Sequence, residues 1–337
     1  MNRSVAVVGA TGVVGAELLQ VFQERNFPVG QLGLFASAAS AGRQLEFAGN
    51  PYTVQATDAA KVSEHQLVFL SAGATVTRQL APTLRAAGCR IYDNTSAFRL
   101  ADDVPLVVPE VNLHAMTADD PHVAVPNCTA ILLVLSLGPL QRAFGLRRVI
   151  VSSYQAVSGA GRAALDRLLQ EAGDPPTACE TADPGVDPFA FNVIPAIGEE
   201  APGLAGSTGE EAKVVAETRR ILDRPDLAMV ATCVRVPVIR AHSESVVVEL
   251  CGDPSLDEVR QVFAESPWID LRDDLARGLF PTPRKATGID GIQLGRLRKA
   301  DGPGHFAYFL AGDQLRKGAA LNAVQIAEQH TNLPASE

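Results

Sequence analysis

The chain has 337 residues, enough for two domains with cores of their own. Its 38 acidic residues outnumber its 29 basic ones, giving a net charge of −9 that disfavours nucleic acid and anionic membrane as partners. The sequence contains no apolar run of about 18 residues or more and no signal-like hydrophobic region near Met1, so we expect a soluble, cytoplasmic protein.

The cysteines and histidines do not form a recognisable metal or disulfide pattern. The five cysteines are an odd number without a C-x-x-C pair, and the six histidines include no H-E-x-x-H arrangement. We therefore predict no metal site and no disulfide framework.

A strand, a glycine-rich turn and a helix are predicted at the start of the chain. Val5–Val8 is an apolar run typical of a buried parallel strand, and Gly9–Gly15 leads from it into a helical pattern around Leu18–Phe22. Glycines at a first βα turn let the backbone approach a pyrophosphate, which the N–H groups at the helix start can bind. The pattern favours a dinucleotide site over a purely structural turn.

The loop after the second predicted strand, at 31–35, bears on the choice of cofactor. No Asp or Glu stands in residues 36–43, where an NAD enzyme often places an acid against the ribose. Ser37, Ser40 and Arg43 are able to accommodate a 2′-phosphate instead, which favours NADP, while an ordinary polar loop remains the alternative.

Further strands are predicted in the first half of the chain, separated by a helix at 76–87 and by turns. This alternation predicts an α/β domain with a doubly wound parallel sheet of the Rossmann type. Ligands bind at the carboxyl ends of such strands, so we expect the cofactor and Cys128 to be neighbours. The further strands are predicted at 66–70, 90–92, 106–108 and 122–125.

A change of pattern follows the apolar helix predicted at 130–144. Longer, alternating strands then dominate, and they predict an α+β domain with a largely antiparallel sheet that offers a dimer surface. We assign 1–127, completed by a helix at 315–330, to the nucleotide domain and 128–314 to the catalytic and dimerisation domain. The Pro- and acid-rich segment 173–188 is predicted to be a surface excursion. The strands are predicted at 147–154, 228–236, 243–250, 291–298 and 306–310, and the helices at 162–172, 210–222 and 256–265.

Cys128 is the candidate nucleophile. It follows Pro126 and Asn127 at the start of the apolar helix, where unpaired N–H groups and the helix dipole stabilise a thiolate. Its local context alone favours a buried, unreactive cysteine, since free cysteines are usually buried.

The second half of the chain supplies candidate partners for a nucleophile. Arg235 and His242 flank a Pro-containing bend, so both side chains are able to face one pocket. The arginine would provide a fork that binds carboxylate, and the histidine would provide a base with a pKa near neutrality. Taken alone, this stretch is more simply interpreted as an exposed histidine and a surface arginine. Lys213 opens a helix, where its charge opposes the dipole and suggests an anionic partner.

Taken together, several motifs in the same order along nearly the whole chain resemble those of the aspartate-semialdehyde dehydrogenases. The motifs are Gly9–Gly15, Asn94–Arg99, Pro109–Asn112, Pro126–Cys128, Tyr154–Gly159, Asn192–Pro195, Arg235 with His242, Phe280–Pro283 and Arg316–Ala320.

The resemblance implies a homodimeric, NADP-dependent enzyme that interconverts L-aspartyl 4-phosphate with L-aspartate 4-semialdehyde and phosphate through a cysteine thioester, in the biosynthesis of lysine through diaminopimelate and of threonine, methionine and isoleucine. It implies that Cys128 is the nucleophile, His242 the acid/base and Gln155 the group that orients the substrate. Arg235 would bind the α-carboxylate, with Glu210 near the amino group. Arg99 and Lys213 would hold phosphate. The implied cofactor contacts are Gly9, Thr11, Gly12, Val13, Val14, Ser37, Ala39, Ser40, Ser158, Gly159 and Gln314.

The chain departs from the family pattern at Ala39, where an arginine is common, and this leaves dual use of NAD and NADP open. Thr129-Ala130 replaces a commoner Ser-Thr, and 239–241 replace an apolar, Gly-containing approach to the histidine. Two alternatives remain. One is a non-catalytic dinucleotide-binding paralogue. The other is an enzyme like N-acetylglutamyl-phosphate reductase, which usually has a Pro-Gly-Cys-Tyr type of motif at the nucleophile.

Overall fold

The computed structural model describes residues 3–173, 187–330 and 332, and the chain divides into two compact units. Unit 1 extends to Asn127 and resumes at Gly318, and unit 2 spans Cys128–Lys317. The segment 173–188, predicted to be a surface excursion, lies outside the described residues except at 173, 187 and 188. Within the described ranges, no helix has the length and apolar character needed to span a membrane.

The strands and helices are numbered here in chain order. The strands are β1 (Arg3–Val8), β2 (Val29–Ala36), β3 (Gln44–Phe47), β4 (Asn50–Thr53), β5 (Gln55–Ala56), β6 (Leu67–Leu70), β7 (Arg90–Asp93), β8 (His122–Ala124), β9 (Leu146–Gln155), β10 (Ala228–Arg235), β11 (His242–Leu250), β12 (Ile269–Leu271), β13 (Ile292–Lys299) and β14 (His305–Gly312). The helices are α1 (Val13–Glu24), α2 (Ala59–Val62), α3 (Ala74–Ala86), α4 (Pro109–Asn112), α5 (Cys128–Ala143), α6 (Arg162–Gly173), α7 (Gly209–Ile221), α8 (Leu256–Ala264), α9 (Pro283–Ala286) and α10 (Leu321–His330).

Unit 1 is built on a parallel sheet of six strands in the order β5-β2-β1-β6-β7-β8. The central strand β1 is completely buried over Val5–Val8, because helices cover both faces of a doubly wound sheet. Gly9, Ser71 and Asn94 directly follow β1, β6 and β7 at the carboxyl edge of this sheet. The predicted doubly wound sheet is confirmed.

The strand predicted at 106–108 is wrong, since only Leu106 forms an isolated bridge, to Ala124. Prolines flank the three residues, and the side chain of Asn112 satisfies part of their backbone. The Val108 N–H donates to Asn112 Oδ1 at 2.8 Å, and Asn112 Nδ2 donates to the Leu106 carbonyl at 2.9 Å. These bonds connect the segment to the start of α4, and its pairing with β8 is limited to two backbone hydrogen bonds around Ala124.

The sequence reasoning also missed the hairpin of β3 and β4. Its two strands pair antiparallel across a turn in which Ala48 has φ +49° and Gly49 has φ +76°. Both turn residues lie in the left-handed region, as a type I′ hairpin turn requires. Gly49 is the residue in the sequence that indicates this turn.

Unit 2 contains a mixed sheet of six strands in the order β10-β9-β11-β14-β13-β12. Its three central pairs are antiparallel and its two outer pairs are parallel, which agrees with the largely antiparallel prediction. The buried helix α5 packs against β9 and β11 on one face. The opposite face exposes large apolar side chains, among them Ile150, Tyr154 and Val230.

Candidate active site

Cys128 is the first residue of α5, so its thiol lies in the first turn of a 16-residue helix. N–H groups in a first turn have no partner within the helix, and with the dipole they stabilise negative charge on the sulfur. Cys128 Sγ lies 3.4 Å from Nε2 of His242. Sequence and structure therefore agree on the placement of the thiol, and the structure adds its histidine partner.

His242 begins β11 and is completely buried. Its Nδ1 accepts a hydrogen bond of 3.0 Å from the backbone N–H of Ala156, which follows the last residue of β9. Burial, assisted by the charge of Arg235, holds the pKa of His242 well below its usual range. The imidazole is therefore neutral at neutral pH.

The turn that leads into His242 is held by buried hydrogen bonds. Ala241 has φ +72°, in the left-handed region that favours glycine, and its N–H donates to Gln314 Oε1 at 2.7 Å. Gln314 Nε2 donates to Ser158 Oγ at 2.7 Å, and that hydroxyl donates to the carbonyl of Ile239. Ser158 and Gln314, implied cofactor contacts, thus fix the backbone beside His242.

Arg235 ends β10, the strand paired with β9, and is 8% exposed. Its Nη1 donates to the carbonyl of Ala156 at 2.7 Å. Burial lowers the pKa of the guanidinium, and the neighbouring Cys128 and Glu210 act in the opposite sense. A fixed cation therefore lies beside the thiol.

Gly159 leaves open the space between the two basic residues. A Cβ there would lie 3.1 Å from His242 Cε1 and 3.5 Å from Arg235 Nη1. The two side chains, predicted to share a pocket, do converge on Gly159. A side chain at this position would crowd both groups.

Gln155 and Glu210 form a second part of the site in unit 2. Gln155 is 2% exposed, and its Nε2 lies within hydrogen-bonding distance of Ser153 Oγ (3.2 Å) and Glu210 Oε1 (3.4 Å). Glu210 lies in the first turn of α7 and pairs with Lys213 at 3.6 Å. The carboxylate thus counters the unfavourable placement of a lysine near a helix start.

Arg99 belongs to unit 1 and joins two loops of its parallel sheet. It is 9% exposed, its Nε donates to the carbonyl of Val125 and its Nη2 donates to the carbonyl of Asn94, each at 2.9 Å. These loops follow β8 and β7, so the guanidinium is held at the carboxyl edge of the sheet.

The glycine-rich turn of unit 1 fits close approach of a dinucleotide. Gly9 has φ +91°, and a Cβ on it would lie 2.8 Å from the Ser71 backbone. A Cβ on Gly15 would lie 2.3 Å from the Gly9 carbonyl oxygen. Gly12 precedes α1 without a capping side chain, so Thr11, Val13 and Val14 surround an open helix start.

The loop after β2 presents small side chains to solvent. Ser37 and Ala39 are exposed and Ser40 is partly exposed, in a short 3₁₀ turn over Ala38–Ser40. Arg43 is also exposed. This loop therefore presents two hydroxyls and one arginine to solvent.

Sequence reasoning missed three groups around these residues. Ser153 holds the Gln155 amide, Asp313 pairs with Arg240 at 2.8 Å, and the Ala156 N–H bonds His242. Asp313 was detectable as a charge after an apolar strand. A backbone amide leaves no signal in the sequence.

Comparison with known proteins assigns the family. Residues 4–118 match the semialdehyde dehydrogenase NAD-binding domain, and residues 137–317 match the semialdehyde dehydrogenase dimerisation domain. Aspartate-semialdehyde dehydrogenases of Synechocystis (41% identical) and Bacillus subtilis (40%) each align with 96% of this chain and 96% of their own length. The structure of aspartate semialdehyde dehydrogenase II from Vibrio cholerae complexed with ASA is 36% identical, with a TM-score of 0.91 over 98% of this chain and 99% of that one. The chain therefore belongs to the aspartate-semialdehyde dehydrogenase family of oxidoreductases.

Proposed function

We propose that this protein reversibly converts L-aspartyl 4-phosphate to L-aspartate 4-semialdehyde and phosphate with NADP, through a thioester on Cys128. The observation that carries the proposal is the 3.4 Å contact between Cys128 Sγ and His242 Nε2 at the start of α5. The reaction would serve the biosynthesis of lysine through diaminopimelate and of threonine, methionine and isoleucine.

Substrate recognition is assigned to charged groups suited to an amino acid. Arg235 provides a buried fork for the α-carboxylate, and Glu210 provides a carboxylate for the α-ammonium. Gln155, whose amide nitrogen is directed at Ser153 and Glu210, orients the substrate through its oxygen. The ASA complex of the Vibrio cholerae relative supports this substrate.

Arg99 and Lys213 are the proposed phosphate-binding cations. Arg99 is held by two backbone carbonyls, and Lys213 keeps a side-chain exposure of 43% beside Glu210. A guanidinium and an ammonium together complement the charge of an acyl phosphate or of free phosphate.

The turn over Gly9–Gly15 fits the pyrophosphate of a dinucleotide. Side chains at Gly9 and Gly15 would clash with the backbone of the turn and its neighbours, so only glycine lets the backbone come this close to the ligand. Ser37, Ala39 and Ser40 line the proposed 2′-phosphate pocket, and Ser158, Gly159 and Gln314 complete the proposed contacts. The cofactor, when bound, supplies or accepts the hydride.

In the reductive direction the Cys128 thiolate attacks the acyl carbon, and the carbon–oxygen bond to phosphate breaks with its electrons on phosphate. A thioester results. Hydride addition to its carbonyl carbon and rupture of the carbon–sulfur bond then release the semialdehyde and regenerate the thiolate. His242 hydrogen-bonds the sulfur and the carbonyl oxygen during these steps.

The open face of the unit 2 sheet is the proposed homodimer interface. Ile150 is 44% exposed, Val230 60% and Tyr154 37%, and apolar side chains grouped on one face favour association. We expect wild-type protein to elute as a dimer and Ile150→Asp to elute as a monomer in size-exclusion chromatography with light scattering. A monomeric wild type would refute the interface.

The decisive experiment is phosphate-dependent reduction of NADP by the purified protein with aspartate semialdehyde. Wild-type protein should turn over, and Cys128→Ala should lose activity by several orders of magnitude, because no other group forms the thioester. Cys251→Ala, which removes an exposed cysteine of the same unit, is the matched control and should stay active. A wild type without turnover would refute the enzyme, and an active Cys128→Ala would refute the thioester.

Cofactor preference is tested by comparing kcat/KM for NADP and NAD. Wild-type protein should prefer NADP, and Arg43→Ala should lower kcat/KM for NADP while sparing NAD, because only NADP carries a 2′-phosphate. Equal use of both cofactors by wild type would refute the phosphate pocket.

A further inference from the structure

The hydrogen-bond partner of His242 Nδ1 is a backbone amide, which can only donate. The Ala156 backbone N–H lies 3.0 Å from Nδ1, and a backbone amide nitrogen cannot accept a hydrogen bond. Nδ1 is therefore without a proton. A neutral imidazole has one ring proton, and here it belongs on Nε2.

The arrangement reverses the polarity of a catalytic triad. In a triad a carboxylate accepts the Nδ1–H of the histidine and stabilises the imidazolium. Here a second proton, on Nδ1, would face the Ala156 N–H. The cation of Arg235 is also close to the imidazole. A Cβ placed on Gly159 would lie 3.5 Å from Arg235 Nη1 and 3.1 Å from His242 Cε1. Both features disfavour the imidazolium.

Ala156 is itself fixed from two sides. Its N–H donates to His242, and its carbonyl accepts from Arg235 Nη1 at 2.7 Å. The next residue, Val157, donates its N–H to the carbonyl of Val238 at 2.8 Å. The amide therefore has little freedom to turn away from the imidazole.

We infer that the Ala156 amide locks His242 as the Nε2–H tautomer, so that the histidine acts as a hydrogen-bond donor to a preformed Cys128 thiolate and to the substrate oxyanion, and not as the base that removes the thiol proton. This inference rests on the proposed thioester chemistry. It narrows the acid/base role implied by the family resemblance. Ala156 is a positioning residue, and His242 is the catalytic residue.

The reaction balances without a proton on Nδ1. When the thiolate adds to the aldehyde, the carbon–sulfur bond forms and the carbonyl π pair moves to oxygen, where Nε2–H stabilises it. A bound oxidised nicotinamide would accept the hydride with its electron pair, and an oxygen lone pair would then restore the carbonyl as a thioester, still beside Nε2–H. A phosphate oxygen attacks this thioester, and the thiolate departs with the carbon–sulfur electrons.

The tautomer is measured by long-range ¹H–¹⁵N correlation on the full chain labelled with [¹⁵N]histidine, with the His242 signals identified from a His242→Gln sample. We expect an unprotonated, pyridine-type Nδ1 and a protonated, pyrrole-type Nε2 at neutral pH. A pyrrole-type Nδ1, alone or with a pyrrole-type Nε2, would overturn the inference. The readout needs no turnover, so its failure is distinct from failure of the proposed function.

An amide-to-ester exchange at position 156 tests whether the Ala156 N–H sets the tautomer of His242. Incorporating lactic acid at 156 by nonsense suppression removes the Ala156 N–H and weakens the Gln155 carbonyl, which accepts from the Val236 N–H at 3.1 Å. We expect an Nδ1–H population to arise while kcat falls about tenfold at unchanged KM. The matched control places 2-hydroxyisovaleric acid at 236, which removes the Val236 N–H from the same Gln155 carbonyl and should leave the His242 signals unchanged. An unaltered His242 spectrum in the 156 ester would refute the role of the amide.

Discussion

Glu244 carries a carboxyl group that lies completely inside unit 2, two residues beyond His242 on β11. Neither of its oxygens has a hydrogen-bond partner among the described residues. The strand register sets it between Ser153 on β9 and Leu310 on β14. Burial raises the pKa of Glu244 well above its usual range, because the charged form is poorly solvated there. The folded protein therefore keeps this carboxyl protonated at pH values where an ordinary glutamate is ionised.

The effect on stability has a definite sign. An unfolded glutamate ionises near pH ~4.3, so above that pH the folded state binds one proton more than the unfolded state. The free energy of unfolding then falls by about 1.4 kcal/mol per pH unit as pH rises, until the folded pKa is passed. Glu244→Gln keeps the size of the side chain and removes the ionisation. Its stability relative to wild type should therefore increase with pH at the same slope.

The only tryptophan of the chain, Trp268, makes the measurement selective. It lies in unit 2 and donates through Nε1 to the Leu135 carbonyl at 2.9 Å, so its fluorescence reports unfolding of the unit that contains Glu244. Urea unfolding is compared at pH 5.5, 6.5 and 7.5 for wild type, Glu244→Gln and Glu265→Gln. The last variant changes an exposed glutamate and should follow wild type at every pH. Parallel stability curves for wild type and Glu244→Gln would refute a protonated Glu244.

Substitutions at Arg235, Ala241 and Gly15 test the site and its supports. Arg235→Lys keeps the charge and loses the planar fork, so KM for the semialdehyde should rise about tenfold or more with a smaller change in kcat; an unchanged KM would contradict carboxylate binding. At Ala241, with φ +72°, the Gly variant should stay within about 1 kcal/mol of wild type in the free energy of unfolding, and the β-branched Val variant should lose about 2 kcal/mol or more; equal losses would exclude backbone strain. Gly15→Ala places a Cβ 2.3 Å from the Gly9 carbonyl and should abolish binding of NADPH, measured by its fluorescence, whereas Gly173→Ala meets nothing within 4 Å and should bind normally.

Local patterns in the sequence were sufficient for most of the elements that carry the site. Val5–Val8 is buried on both sides and flanked by Gly9, so its strand and turn follow from a few consecutive residues. Cys128 follows Pro126 and Asn127 before an apolar run, which identifies it as the start of a helix. The strand predicted at 106–108 failed because the side chain of Asn112 bonds its backbone, and such competition is invisible to periodicity.

The sequence by itself determined that a thiol stands at a helix start in a chain with a dinucleotide turn, because both features depend on neighbours along the chain. Only the tertiary structure decided what His242 contacts. Its Nδ1 meets the Ala156 amide because β9 and β11 pair in one particular register, which brings together residues 86 positions apart. The same register buries Glu244 behind the site. Pairing between distant strands depends on the packing of the whole sheet, and residue spacing carries no record of it.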